Sequence, residues 1–380
     1  MRTKSVWLAV ALAAVGVVTA SAQQQPRDPT RTPGVQAPAD PNRAAFVMAN
    51  CKNPAPAPPA RGGGAAPAPA GRGGRDGGAP AAAGGGGGRG AGGGAQVEGA
   101  REYAVTAIPG VIAAGQRWRT LWTDSGNNAD SPIGLEDGVL IAQNDKSQIL
   151  KVGLNGVVTL VATDTYTGGS LAVNSQGQLF SGQRALNKAI WMVQPQRRLF
   201  TNAKGGEPLE CLGPANISDM VADTKGGVYF TMGGVYYANA QGVVSGRHTT
   251  VNGNGLMLSR DGKTLYVTGR VPVAGGGSGL VALDVQPDGS LTNERNFVEL
   301  PGGDGLAIDN DGRIYVTTGS NGVYVVSPTG QLLGNIPSPH GLVSVAFGGP
   351  NKRTLFGVSI REVNVMAIDL IPQGFTGRPK

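Results

Sequence analysis

The stretch Asn254-Gly255-Leu256-Met257-Leu258-Ser259-Arg260-Asp261-Gly262-Lys263-Thr264-Leu265-Tyr266-Val267 has a near-copy about fifty residues later, Asp304-Gly305-Leu306-Ala307-Ile308-Asp309-Asn310-Asp311-Gly312-Arg313-Ile314-Tyr315-Val316. Each copy opens on an oxygen-bearing side chain, then a glycine and a short alternating strand. An Asp-Gly turn and a second strand follow. Two distant copies of one supersecondary unit mark a repeat architecture, in which each unit buries its apolar face against the next. Asn254 and Asp304 are also the hard oxygen donors that a metal site collects.

Outward from these copies the same grammar recurs. Residues 139–142, 148–152 and 157–161 read as strands, as do 170–173, 178–180 and 189–193. A third group covers 219–222, 227–231 and 235–238. The Asn254 copy continues with 279–284 and a fourth strand near 297–300, and the Asp304 copy with 322–326 and 331–336. The last group is 344–347, 353–356 and 364–370. Six groups of three or four antiparallel strands, with no long amphipathic helix, predict an all-β fold, a six-bladed β-propeller. The last group lacks an outer strand, so a segment from the start of the domain, 103–108 or 118–122, is expected to complete it and close the ring. A β-sandwich is the runner-up and accounts less well for the Asp-Gly repeats.

The rest of the 380-residue chain is different material. Arg2 and Lys4, an apolar run over 6–18 and Ala20-Ser21-Ala22 read as a signal peptide over 1–22. No other segment approaches about 18 uninterrupted apolar residues, so no membrane span is expected after cleavage. Residues 23–97 carry runs such as Pro54-Ala55-Pro56-Ala57-Pro58-Pro59 and glycine from 84 to 88. They bury too little apolar surface to offset the entropy of ordering, and read as a disordered Pro/Ala/Gly-rich linker. Residues 98–380 remain for the propeller, and the expected address is secreted or periplasmic. Without the leader the net charge falls from +7 to about +5, too mild to demand a polyanion. The Arg-Gly clusters at Arg61, Arg72, Arg75 and Arg89 lack interleaved aromatics, so no nucleic acid partner is expected. A monomer is. Of two cysteines, Cys51 lies in the linker and Cys211 in the domain. An internal bridge, a bridge between chains and two free thiols all stay open.

Taken with Gly348-Gly349-Pro350-Asn351-Lys352-Arg353-Thr354-Leu355-Phe356, the two copies resemble the senescence-marker-protein, gluconolactonase and luciferin-regenerating-enzyme family. Its members show N-G-L, then D-G-L, then A-F-G-G-P before a K-T-L strand, and the order matches over roughly 130–370. The resemblance implies a six-bladed propeller with a divalent metal, often calcium, in its tunnel, and hydrolysis of lactones or organophosphate esters. It places the family's Asn ligand on Asn254, and its Asp ligand and proposed base on Asp304. Asp130-Ser131-Pro132 stands where the family has E-G-P, one methylene shorter at the carboxylate. Ile217-Ser218-Asp219 stands for P-N-D, with Ser218 replacing an Asn and Asn216 close by. Two further family aspartates are replaced by Met232 and Gly269. The pattern is that of a divergent member.

The residues make the same case on their own chemistry. Calcium takes roughly six to eight oxygens, and a propeller axis gathers the opening residues of several inner strands. Asp130, Ser218, Asn254 and Asp304 can therefore converge. Asp130, Asn254 and Asp304 are the expected metal ligands, with Ser218 open as ligand or substrate contact, and the resemblance makes Asp304 the expected catalytic base. Ser218, Asn216 and His340 are the expected substrate contacts, His340 as a proton carrier at the tunnel mouth. Calcium is the expected cation, with zinc, magnesium or manganese as alternatives; no Cys/His spacing of structural zinc occurs. The bland reading competes: Asn-Gly and Asp-Gly also make ordinary turns, to which Asp261-Gly262 and Asp311-Gly312 are assigned wholly. His248 and His340 also read as solvated loop imidazoles, and Glu207, Glu210 and Arg184 fall near the top face without a role.

Two function classes follow. The first is an exported metal-dependent hydrolase acting on a small-molecule sugar lactone or related ester, phosphotriesters being a weaker variant. The second is a non-catalytic ligand- or protein-binding propeller with a degenerate metal site.

Overall fold

The computed structural model describes residues 40–53, 102–125, 129–249, 251–270, 277–319, 322–359 and 362–377. The expected signal peptide and most of the expected linker lie outside these residues.

Among the described residues, six four-stranded antiparallel sheets succeed one another, with a small two-stranded ribbon of Ala203–Lys204 and Glu207–Pro208 beside them. Blade 1 is Ala129–Gly134, Gly138–Gln143, Gln148–Gly153 and Val158–Ala162, and blade 2 is Ser170–Val173, Leu179–Gly182, Ile190–Gln194 and Arg198–Thr201. Blade 3 is Met220–Ala222, Val228–Thr231, Val235–Ala238 and Val244–Gly246. Blade 4 is Leu256–Leu258, Thr264–Arg270, Ser278–Val285 and Leu291–Glu299. Blade 5 is Leu306–Ile308, Ile314–Thr317, Val323–Val326 and Leu332–Ile336, and blade 6 begins with Leu342–Gly348, Thr354–Ser359 and Glu362–Asp369. The first strand of each blade touches the first strands of the blades on either side, and blade 6 meets blade 1. The result is the six-bladed propeller that the repeats predict.

Of the two segments proposed to close the ring, the second does so. Arg119–Ser125 pairs antiparallel with Glu362–Asp369 as the outer strand of blade 6, Arg119 opposite Ala367. Val105 and Ile108 from the first segment instead enter a core shared by blades 5 and 6. Blades pack face to face, so their inner strands are buried on both sides: Leu256, Met257 and Leu258 are all fully enclosed. Aromatic side chains fill the wedge between blades, as where Tyr315 meets Phe347 edge-on at 4.9 Å.

The inner strand of blade 1, Ala129–Gly134, is absent from the strands read in the sequence. Ser131 adopts a left-handed φ of 48°, and the ladder slips between Asp130 and Ile133. Pro132 has no N–H to give the ladder, so this strand does not show the usual pattern.

A second departure lies in the expected linker. Arg43–Asn50 is an α-helix, and Cys51 is disulfide-bonded to Cys211, 160 residues away, so the internal bridge is the one that forms. Arg43 Nε donates to Glu210 Oε1 at 2.6 Å, and Lys52 N donates to Glu207 Oε1 at 2.6 Å. Glu210 is 1 % exposed and also takes the Lys188 ammonium. A carboxylate so deeply enclosed requires cationic partners, and the helix brings one. Among the described residues no helix is long and apolar enough to cross a membrane.

Candidate functional site

Ser218, Asn254 and Asp304 occupy one position in three consecutive blades. Their main-chain N–H groups donate to the carbonyls of Thr231, Thr268 and Thr317 at 2.9, 3.0 and 2.9 Å. The same threonines, fully buried, staple each blade to the next. Thr231 Oγ1 donates to Asn254 O at 2.5 Å, Thr268 Oγ1 to Asp304 O at 3.0 Å, and Thr317 Oγ1 to Val343 O at 2.9 Å. Buried main-chain carbonyls need partners, and here the partner comes from the preceding blade. The opening residues are thereby stepped around one end of the ring.

The glycines that follow them have a steric reason. A Cβ on Gly255 would lie 1.9 Å from Asp304 O, and one on Gly305 would lie 2.2 Å from Ser344 Oγ. Asn254-Gly255 and Asp304-Gly305 are thus points where neighbouring inner strands close on each other. Gly262 and Gly312, at φ 71° and 84°, do make turns, as expected.

With the strands this close, Asn254 Nδ2 donates to Asp304 Oδ1 at 2.6 Å. Both side chains are half-buried. In blade 3 the position matching Gly255 and Gly305 is Asp219: Thr231, Thr268 and Thr317 N–H donate to the carbonyls of Asp219, Gly255 and Gly305. Asp219 brings a carboxylate to a position where the next two blades carry glycine. Its Oδ2 accepts from Leu256 N at 3.2 Å, and its Oδ1 from Met220 N at 2.8 Å and Ser131 Oγ at 3.2 Å. Blade 3 is so tied to blade 4 on one side and to blade 1, two positions away, on the other. The sequence signal was an aspartate where the two clearest repeats carry glycine.

Asp130, expected as a ligand, makes two polar contacts of its own. Its Oδ1 accepts from Ser131 N at 2.7 Å, and its Oδ2 pairs with Arg184 Nη2 at 3.2 Å. Burial pushes its carboxyl up from the ordinary value, the Arg184 guanidinium pulls it down and the Asp219 charge pushes it up again; the net direction is upward. Arg184 lies in no recognisable motif, yet it reaches the same end of the ring. Ser218 Oγ donates to Asn216 O at 3.4 Å, so the recorded bond to Asn216 is through its main chain. His340 is half-buried in the connection leading into blade 6, and its main-chain oxygen accepts from Ser338 Oγ at 2.6 Å.

Asp130 pairs with Arg184, Ser131 with Asp219 and Asn254 with Asp304, and the Thr231 hydroxyl joins the main chains of Asp219 and Asn254. Three carboxylates and one guanidinium give these side chains a net charge of −2. Among the described residues no group of three or more His, Cys, Asp or Glu is gathered for a metal. The donors at hand are carboxylate, amide and hydroxyl oxygens. Oxygen donors of this kind are the chemistry that hard divalent cations such as calcium take.

Residues 169–361, from the start of blade 2 into blade 6, match the SMP-30/Gluconolactonase/LRE-like region. Among solved structures, a gluconolactonase from Xanthomonas campestris is 21% identical, with a TM-score of 0.59 over 71% of this chain and 96% of its own. Regucalcin from Agrobacterium tumefaciens, described as a calcium-binding protein, is 16% identical, with a TM-score of 0.55 over 70% of this chain and 98% of its own. A luciferin-regenerating enzyme is 17% identical, with a TM-score of 0.57 over 70% and 99%. Likeness at this level speaks to the fold.

Proposed function

Because the chain belongs to the SMP-30/gluconolactonase/LRE-like family, we propose that it is an exported hydrolase that opens a sugar lactone or a related ester with a divalent cation. The observation that carries this reading is the 2.6 Å approach of Asn254 to Asp304 across two blades. Asn254 and Asp304 would hold the cation, which when bound would polarise the lactone carbonyl. Calcium is the preferred ion, in keeping with the oxygen donors and with the calcium-binding description of the regucalcin neighbour.

The chain's own groups do the rest. Asp304 accepts a proton from the attacking water, its backbone set by the Thr268 hydroxyl. Asn254 orients the ring, and Ser218, one blade earlier at the same register, offers a hydroxyl to the substrate. Export is supported by the Cys51–Cys211 bridge, which belongs in an oxidising compartment.

The test is turnover of an aldonolactone panel with chelator and with calcium restored. Chelation is expected to abolish turnover and calcium to restore it. Asp304→Asn is expected to lower it by about 10²-fold or more, and undiminished turnover in that variant rejects the assignment. The Asp130–Arg184 pair favours a second reading, a non-catalytic ligand-binding propeller, because it removes a carboxylate from the ligand set. That reading expects no turnover of any lactone or ester by the wild type.

A further inference from the structure

Arg184 belongs to none of the N-G-L, D-G-L or A-F-G-G-P motifs, yet the fold is cut to receive it. It leaves the connection between the second and third strands of blade 2, and its side chain is 15% exposed. Nε donates to Ile217 O at 3.1 Å, and Nη2 faces Gly169 O at 3.2 Å, Ser218 O at 3.3 Å and Asp130 Oδ2 at 3.2 Å. In the amide orientation that suits its neighbours, Asn144 Oδ1 accepts from Nη1 at 2.7 Å. Gly169 makes the room: a Cβ there would lie 2.0 Å from the guanidinium carbon. A guanidinium held on three main-chain carbonyls and an amide oxygen, across the junction of blades 1, 2 and 3, is a fixed positive charge. It has few donors left for a substrate.

We infer that Arg184 is a built-in cation that takes Asp130 out of the metal's ligand set, so that the divalent ion is held through Asn254 and Asp304 without it. This rests on the metal reading above. Recruiting Asp130 would mean breaking an ion pair away from bulk water and seating a doubly charged ion beside a guanidinium that cannot swing away. Calcium affinity follows the number of charged ligands, so Arg184 sets the site to bind weakly.

The test is calorimetric titration of calcium into the full chain and its variants. Arg184→Gln is expected to tighten binding by about tenfold or more as Asp130 joins the ligands. Adding Asp130→Asn to that variant is expected to remove the gain. Asp130→Asn alone, which removes no ligand, is expected to weaken binding only about two- to fourfold, through the guanidinium charge it uncovers. The inference is overturned if Arg184→Gln binds no more tightly than wild type while Asp304→Asn weakens binding, or if Asp130→Asn alone weakens it about tenfold. If neither wild type nor Arg184→Gln takes up calcium, magnesium, manganese or zinc while both melt cooperatively, the metal reading itself falls, a different outcome. Should Arg184→Gln fail to fold, Gly169→Ala displaces the guanidinium sterically, and the Asp130→Asn titration still decides.

Discussion

Replacing Gly255 with alanine tests why a glycine follows Asn254. The added Cβ would sit 1.9 Å from Asp304 O, 2.8 Å from its carbonyl carbon and 3.0 Å from Gly305 Cα. All three are main-chain atoms of the next blade, so no rotamer change relieves the clash. Real Cβ contacts essentially never fall under 3.0 Å, so the inner strands of blades 4 and 5 must part there by at least 1.1 Å. Overpacking of this kind costs about 1–3 kcal/mol, and a backbone obstacle points to the upper end. At about 2 °C per kcal/mol for a domain of this size, Tm is expected to fall by about 6 °C. The same displacement stretches the 2.6 Å Asn254–Asp304 contact, and misplacement by about 1 Å lowers turnover by about 10²-fold. Gly262→Ala is the control. Nothing lies within 4 Å of its Cβ, and its φ of 71° makes it a conformational cost of about 1–2 kcal/mol far from the chemistry. Guanidinium unfolding and lactone turnover are read on both. If Gly255→Ala costs no more stability than Gly262→Ala and retains full turnover, the close-approach argument is wrong.

The Thr268 hydroxyl accepts from Gly255 N at 2.7 Å and donates to Asp304 O at 3.0 Å, so Thr268→Val is expected to cost about 1–3 kcal/mol in chemical denaturation; a cost below about 0.5 kcal/mol would contradict the stapling role. Alkylation of the native protein without reductant is expected to label neither cysteine. Cys51→Ser exposes Cys211, opens residues 43–50 to protease and lowers stability by about 2–4 kcal/mol. Burial lowers the His248 pKa from 6.5, with Asp288 opposing and Lys204 adding to the fall. The unfolded chain then binds that proton more readily, so stability present above pH 6.5 is lost as pH drops through 6.5 toward the folded value. Melting curves from pH 7.5 down to about 5 should show wild type losing ground to His248→Gln; a constant gap refutes this.

Much of the ring was legible because its middle strands alternate and are punctuated by Asp-Gly turns, as at Asp261-Gly262 and Asp311-Gly312. The outer strands Arg198–Thr201 and Val244–Gly246 were not. An outermost strand is half solvated, and Leu199 at 42% exposure carries little patterning signal. The helix Arg43–Asn50 was hidden because its order comes from docking, through Glu210 and the Cys51–Cys211 bridge, and not from its own eight residues.

By itself the sequence determined the repeat, the count of blades and the two oxygen donors that open the clearest copies. Those are local patterns, written within a dozen residues of each motif. Only the closed ring decided how the charges pair. Asp130 meets Arg184 across 54 residues, and Ser131 meets Asp219 across 88. Such contacts depend on how inner strands of different blades converge, and on small side chains such as Gly169 and Gly255 that let neighbouring groups approach. No local periodicity encodes that convergence, because it is the packing of whole blades that brings the axis together.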